Sequence, residues 1–222
     1  MFKNALLAAI VTVASIGAAS AAPMLSYEIL DGTSVIGSGT SSNGVIMNGS
    51  GSDSNFSVSL NASGAPFLAV PNFSTNSFSV SSGSVGGTLT IRVTNTGLTG
   101  YTGGNVANTF SLNSLNGGSF ASGTISNYFD ASNTAYGTGT QLAIASFNGK
   151  SSFADQNSTF AAMVSGTFSE TTIYTLNYAG GSNGTVSASS QLNSTSVPEP
   201  VSIALLGGSL AGLGLIRRKR QG

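Results

Sequence analysis

Phe56-Ser57-Val58-Ser59-Leu60 sets apolar and hydroxyl side chains in strict alternation. A period of two sends every second side chain to the same face of an extended strand and fits no helix. The pattern returns at Leu89, Ile91 and Val93, at Tyr174, Leu176 and Tyr178, and at Val186, Ala188 and Leu192. Each such run has one face to bury, so the chain must build sheets that pack on a second layer.

Weaker runs lie at 25–30, 44–47, 67–70, 78–80, 106–112, 120–128, 141–147 and 160–168. Between them, Asn-Gly at Asn43, Asn48, Asn116, Asn148 and Asn183, and Asp-Gly at Asp31, supply the positive-φ residues that hairpin turns need. Serine (39), threonine (22), asparagine (19) and glycine (30) make up half of the 222 residues, a composition that favours strands and turns over helix interiors. The expectation is an all-β body, an antiparallel β-sandwich or jelly roll of roughly ten to twelve short strands. A parallel β-helix is the alternative, but no period of about 20–30 residues holds beyond two copies. Before residue 201 only 159–164 could form a helical turn.

Charge and residue inventory exclude most chemistry. Residues 22–197 hold six acids (Glu28, Asp31, Asp53, Asp130, Asp155, Glu170) and two bases, Arg92 and Lys150, a net charge of −4. Such a body has little with which to neutralise phosphates, so no nucleic-acid partner is expected. Cysteine, histidine and tryptophan are absent. That removes disulfides, Cys/His zinc sites and histidine-dependent nucleophiles, and no cofactor is expected. Catalysis would fall to carboxylates: Asp130 with Asp155 or Glu170, or Asp31 with Asp53, as the acid pair of a secreted hydrolase. These acids read better as turn and cap residues, and the expectation is a non-enzyme with no catalytic residue. The loop Asn48–Asn55 holds Asp53 as its single carboxylate, too few for a firm calcium site, so no metal is expected. A neutral hydroxyl and amide surface can hydrogen-bond to sugars. A carbohydrate-binding module would present Tyr101, Tyr128 and Tyr136 as an exposed cluster, whereas buried tyrosines would favour a surface or matrix protein. Edge strands without Lys or Glu lack a common guard against edge-to-edge pairing, which leads to an expectation of self-association.

Both ends read as addresses. Lys3, the apolar run Ala5–Ala14 and the small residues around Ala19-Ser20-Ala21 have the layout of a secretory signal peptide over 1–21, cleaved after Ala21. At the other end, Val201–Ile216 is an uncharged stretch of 16 residues followed by Arg217-Arg218-Lys219-Arg220. As a helix it would be about 24 Å long, short for a hydrocarbon core but able to span it with snorkelling and local thinning. The basic cluster would lie on the cytoplasmic side and the body outside. Pro198-Glu199-Pro200 precedes it, an extended and exposed segment with one carboxylate between two prolines.

In that order, the Pro198-Glu199-Pro200 motif, the glycine-interrupted apolar helix and the Arg217–Arg220 cluster resemble the PEP-CTERM sorting signal of exported bacterial proteins. The resemblance covers 197–220 and, with the signal peptide, implies a definite itinerary. It implies Sec-type export, transient anchoring in the inner membrane through 201–216, and processing near Glu199 by an exosortase-like membrane enzyme. Release to the cell surface or an exopolysaccharide matrix would follow, and exopolysaccharide is the further partner it suggests. The organisation expected is thus a signal peptide at 1–21, a sandwich ectodomain at 22–196 and a sorting segment at 197–220.

Overall fold

The computed structural model describes residues 22–116, 120–148, 153–161, 163–181 and 184–195. The signal segment, its cleavage residues Ala19 and Ala21, Pro198–Pro200, the apolar run and Arg217–Arg220 lie outside the described residues. No helix among the described residues is long and apolar enough to cross a membrane.

Twelve strands follow one another among the described residues: β1 (Met24–Asp31), β2 (Ser34–Ser41), β3 (Val45–Ser52), β4 (Phe56–Ser63), β5 (Phe73–Ser82), β6 (Gly87–Leu98), β7 (Gly104–Asn116), β8 (Phe120–Asp130), β9 (Thr140–Asn148), β10 (Phe153–Ala161), β11 (Phe168–Tyr178) and β12 (Gly184–Thr195). They form two six-stranded sheets. The first runs β2-β1-β6-β11-β8-β9 and the second β10-β7-β12-β5-β4-β3. Every strand pair is antiparallel, which fits the sandwich and excludes the parallel β-helix. Most connections pass from one sheet to the other, as in a jelly roll.

The alternating runs sort as their period requires. Phe56, Val58, Leu60 and Ala62 of β4 are buried, while Ser57 and Ser59 are exposed. Leu89, Ile91 and Val93 of β6 and Tyr174, Leu176 and Tyr178 of β11 face them from the first sheet. Ring contacts tighten the interior, with Phe78 and Tyr174 edge-to-face at a centroid distance of 4.6 Å and Phe56 and Tyr178 tilted at 5.2 Å.

One layer of this core is polar. Thr172 Oγ1 donates to Asn127 Oδ1 at 2.7 Å, and Asn127 Nδ2 donates to Asn108 Oδ1 at 3.0 Å and to Ser190 Oγ at 3.2 Å. Ser190 N–H donates to Thr75 Oγ1 at 3.2 Å, and Thr75 bonds the Tyr174 hydroxyl. These six residues join the two sheets through hydrogen bonds in the middle of an apolar interior, where each lost partner is costly.

Three local expectations are corrected, and one strand was missed. The 67–70 run is a loop, bracketed by Pro66 and Pro71, which cannot donate to a ladder. Residues 159–161 finish strand β10 and form no helical turn. Asn48-Gly49 makes a bulge within β3, with Asn48 at φ 58°, rather than a hairpin. Strand β2 was not foreseen, because Ser34–Ser41 offers glycine and serine where a half-buried strand would alternate.

The edges of the sheets are not bare. Gly37 of β2 lies against Ser50 and Gly51 of β3, so a Cβ at Gly37 would overlap the β3 backbone. Tyr27 of β1 fills the space beside them, against Gly39 and Gly49. On the opposite side Thr159 Oγ1 of β10 donates to the Leu142 carbonyl of β9 at 2.6 Å. At both sides the edge strand of one sheet leans on the edge strand of the other, which guards the edges without charges.

Candidate functional site

The outer face of the first sheet carries the one ion pair among the described residues, Glu28 with Arg92. Strand register sets Glu28, Arg92, Ile173, Ser126 and Ile144 opposite one another, one from each of β1, β6, β11, β8 and β9. All five alternate with core residues and so point outward. A parallel row beside it reads Leu30, Thr90, Thr175, Thr124 and Ser146, and on the other side lie Ser26, Thr94, Thr171, Tyr128 and Gln141.

The β8–β9 connection, residues 131–139, crosses this face as a strap. Gly97 N–H donates to Asn133 Oδ1 at 2.7 Å, and Ser169 Oγ donates to the Thr134 carbonyl at 2.8 Å. Asp130 anchors the strap's base by accepting Ser132 N–H at 2.9 Å. Gly137 packs on the same carboxylate, so closely that a Cβ there would overlap it. The strap accounts for the burial of Thr94 and Thr171, which lie on an outward face yet are 0% and 1% exposed.

The strap presents Tyr136 in a left-handed conformation, φ 59°, that non-glycine residues avoid. Its side chain is partly buried and lies within electrostatic range of the Glu28–Arg92 pair. Burial and the Glu28 carboxylate push its phenol up to about 12, with Arg92 acting in the opposite direction. Arg92 Nη1 stands 3.6 Å from Glu28 Oε2, a long contact, and Arg92 Nε is buried with no hydrogen-bond partner among the described residues.

The tyrosine cluster expected of a carbohydrate module divides. Tyr101 is 7% exposed and packs on Phe129 and Phe168 in the core. Tyr128 and Tyr136 remain partly exposed, Tyr128 on the outer face of the first sheet and Tyr136 on its strap. Arg92 and Glu28 were not singled out by the sequence analysis. The available signal was a lone arginine at an outward position of an alternating strand in a body with one other base.

The proposed acid pairs fare differently. Glu170 faces inward, 1% exposed, beside Asn95 and Phe129, and its Oε1 has no partner among the described residues. Burial pushes its carboxyl well above the usual range. Asp130 faces outward at the end of β8, so the two acids stand on opposite sides of the first sheet and cannot flank one substrate. Asp155 bonds Asn157 Nδ2 at 3.1 Å on β10 in the other sheet. Asp31 and Asp53 do come together, through Asn55, whose Nδ2 donates to Asp31 Oδ2 at 2.7 Å. Asp53 Oδ1 accepts the N–H groups of Asn55 and Phe56, both at 2.8 Å, as in a turn cap. Slight burial pushes the Asp53 carboxyl up, but these bonds and its contact with Asp31 outweigh it and hold the group low. No group of three metal-ligating side chains occurs among the described residues.

No protein-family model and no curated protein matches the chain. Among solved structures it is similar to the carbohydrate-binding module TmCBM61 in complex with β-1,4-galactotriose, at 9% identity and TM-score 0.33, covering 53% of this chain and 71% of that one. It is also similar to the K1 cleaved adhesin domain of Lys-gingipain from Porphyromonas gingivalis W83, at 11% identity and TM-score 0.34, covering 78% and 99%. The enzymatically active domain of bacteriophage CBA120 tailspike protein 4 matches at 13% identity and TM-score 0.31, over 61% of this chain and 19% of that one.

Proposed function

We propose that the chain is an exported, non-enzymatic surface or matrix protein whose sandwich lodges in a neutral polysaccharide layer. The observation that carries this reading is the chemistry of the second sheet. Its six strands contain one ionisable residue, Asp155, and its outward positions on β4, β5 and β12 include Ser57, Ser59, Ser79, Ser81 and Ser187. Hydroxyls and amides both donate and accept, as sugar hydroxyls do, and they attract no polyion. The separation of Asp130 and Glu170 by a sheet supports a binding role over hydrolysis. Retention of the purified full chain on an immobilised neutral glucan or galactan tests this half, and passage without retention on both contradicts it.

The itinerary is part of the same proposal. Residues 1–21 direct export, 201–216 anchors the chain, and an exosortase-type enzyme acts near Pro198-Glu199-Pro200. What supports it is the order of that motif, the apolar run and Arg217–Arg220 in the sequence. Glu199→Ala is expected to leave full-length protein in the inner membrane, as read by cell fractionation and intact mass. Normal release of the variant removes the role given to Glu199.

A further inference from the structure

We propose that the Glu28–Arg92 pair and the ring of Tyr136 form a binding site for a neutral hexose chain on the outer face of the first sheet, with the 131–139 strap as its wall. The site rests on the polysaccharide reading above and gives it an address.

An arginine with a purely structural task spends its planar fork on protein acceptors. Arg92 does not. Among the described residues its one ion-pair contact is 3.6 Å long and its buried Nε lacks an acceptor, while the side chain as a whole is 38% exposed. Glu28, 22% exposed, keeps acceptor capacity beside it. A guanidinium and a carboxylate side by side offer donors and acceptors with no net charge. That suits a ligand whose groups each donate and accept, such as the hydroxyls of a sugar. A phosphate or uronate would have to oppose Glu28 and the net charge of −4 that residues 22–197 carry.

Tyr136 supplies the third element. Its left-handed backbone is strained for a residue with a Cβ, and strain of this kind persists where the surroundings hold a side chain in place. The result is a partly exposed ring within electrostatic range of a donor and an acceptor, the pairing that small-molecule sites share. From Glu28 the row continues through Arg92 to Ile173, two strand spacings or ~10 Å, before it reaches the buried Ser126. Thr90 and Thr175 line it, so the site favours an extended chain over a single sugar.

The test is native affinity electrophoresis of the purified full chain in mild detergent, in gels containing a soluble neutral glucan, a neutral galactan or a polyuronate. Retardation by a neutral polymer and not by the polyuronate is expected. Tyr136→Ala and Arg92→Lys should each weaken it about tenfold or more, as loss of an anchoring side chain does. Tyr136→Phe should keep most of it, and Ser84→Ala in the exposed β5–β6 connection should leave it intact. Thermal unfolding of each variant separates lost binding from lost fold. If the wild type binds while Tyr136→Ala and Arg92→Lys bind equally well, the site is overturned and the polysaccharide reading stands. If the polyuronate is the polymer that retards, the neutral specificity is overturned. If the wild type is retarded by none, both fall.

Discussion

The hydroxyl of Tyr27 accepts the Ser50 N–H at 3.0 Å and donates to the Ser50 carbonyl at 3.2 Å. A side chain of the first sheet thereby occupies the position that another strand would take beside β3, the edge of the second sheet. Tyr27→Phe keeps the ring and removes both bonds. It is expected to lower stability by about 1 kcal/mol and to raise concentration-dependent light scattering, because an unpaired edge recruits other chains. An unchanged melting temperature and a clean monomer would show that the bond does neither.

Gly37 and Gly51 allow the two edges to approach. A Cβ at Gly37 overlaps the β3 backbone, which has no flexible end to move aside. Gly37→Ala is expected to cost about 1–3 kcal/mol, the range of overpacking. Gly32→Ala, at a hairpin turn with open space around it but φ 57°, probes backbone conformation alone and should cost less. Urea denaturation of both variants ranks the two effects, and equal losses would deny the seam its steric role.

Glu170 makes stability depend on pH. Burial raises its folded carboxyl, so above the unfolded value of about 4.3 the folded state holds a proton that the unfolded chain releases. Stability is therefore greatest in acid and falls as pH climbs toward the folded value, by at most about 1.4 kcal/mol per pH unit from this group. Facing it are Asn95 of β6, Phe129 of β8 and, within electrostatic range, Tyr101, whose own phenol is raised by burial and by Glu170. Glu170→Gln should flatten the fall and be the more stable form at pH 8. Denaturation curves at pH 5 and 8 with the same slope in both proteins would contradict this.

Asn127 is the hub of the polar layer. Asn127→Ala strands Thr172, Asn108 and Ser190 in the core at once. The expected loss is about 2–4 kcal/mol by chemical denaturation, since each orphaned group carries a desolvation penalty. Thr172→Val removes one spoke and should cost less.

Strands such as β4 and β6 were legible because their inward positions are apolar and their outward ones polar. β2 was illegible because it packs through glycine. Asn127, Asn108 and Thr172 read as surface residues, and only their register within the sandwich sends them inward. Glu170 read as half of a catalytic pair for the same reason: its parity on β11 assigns its face, and a bulge between Phe168 and Glu170 shifts the register there. The candidate site is legible only in part, since Tyr136 was chosen for its ring while its neighbours Glu28 and Arg92 come from strands more than 40 positions earlier.

The second sheet, with Asp155 as its single ionisable group, has a bearing on habitat. Dissolved ions screen charges and leave hydroxyls almost untouched. Any contact made through this face alone would differ little between brine and rainwater.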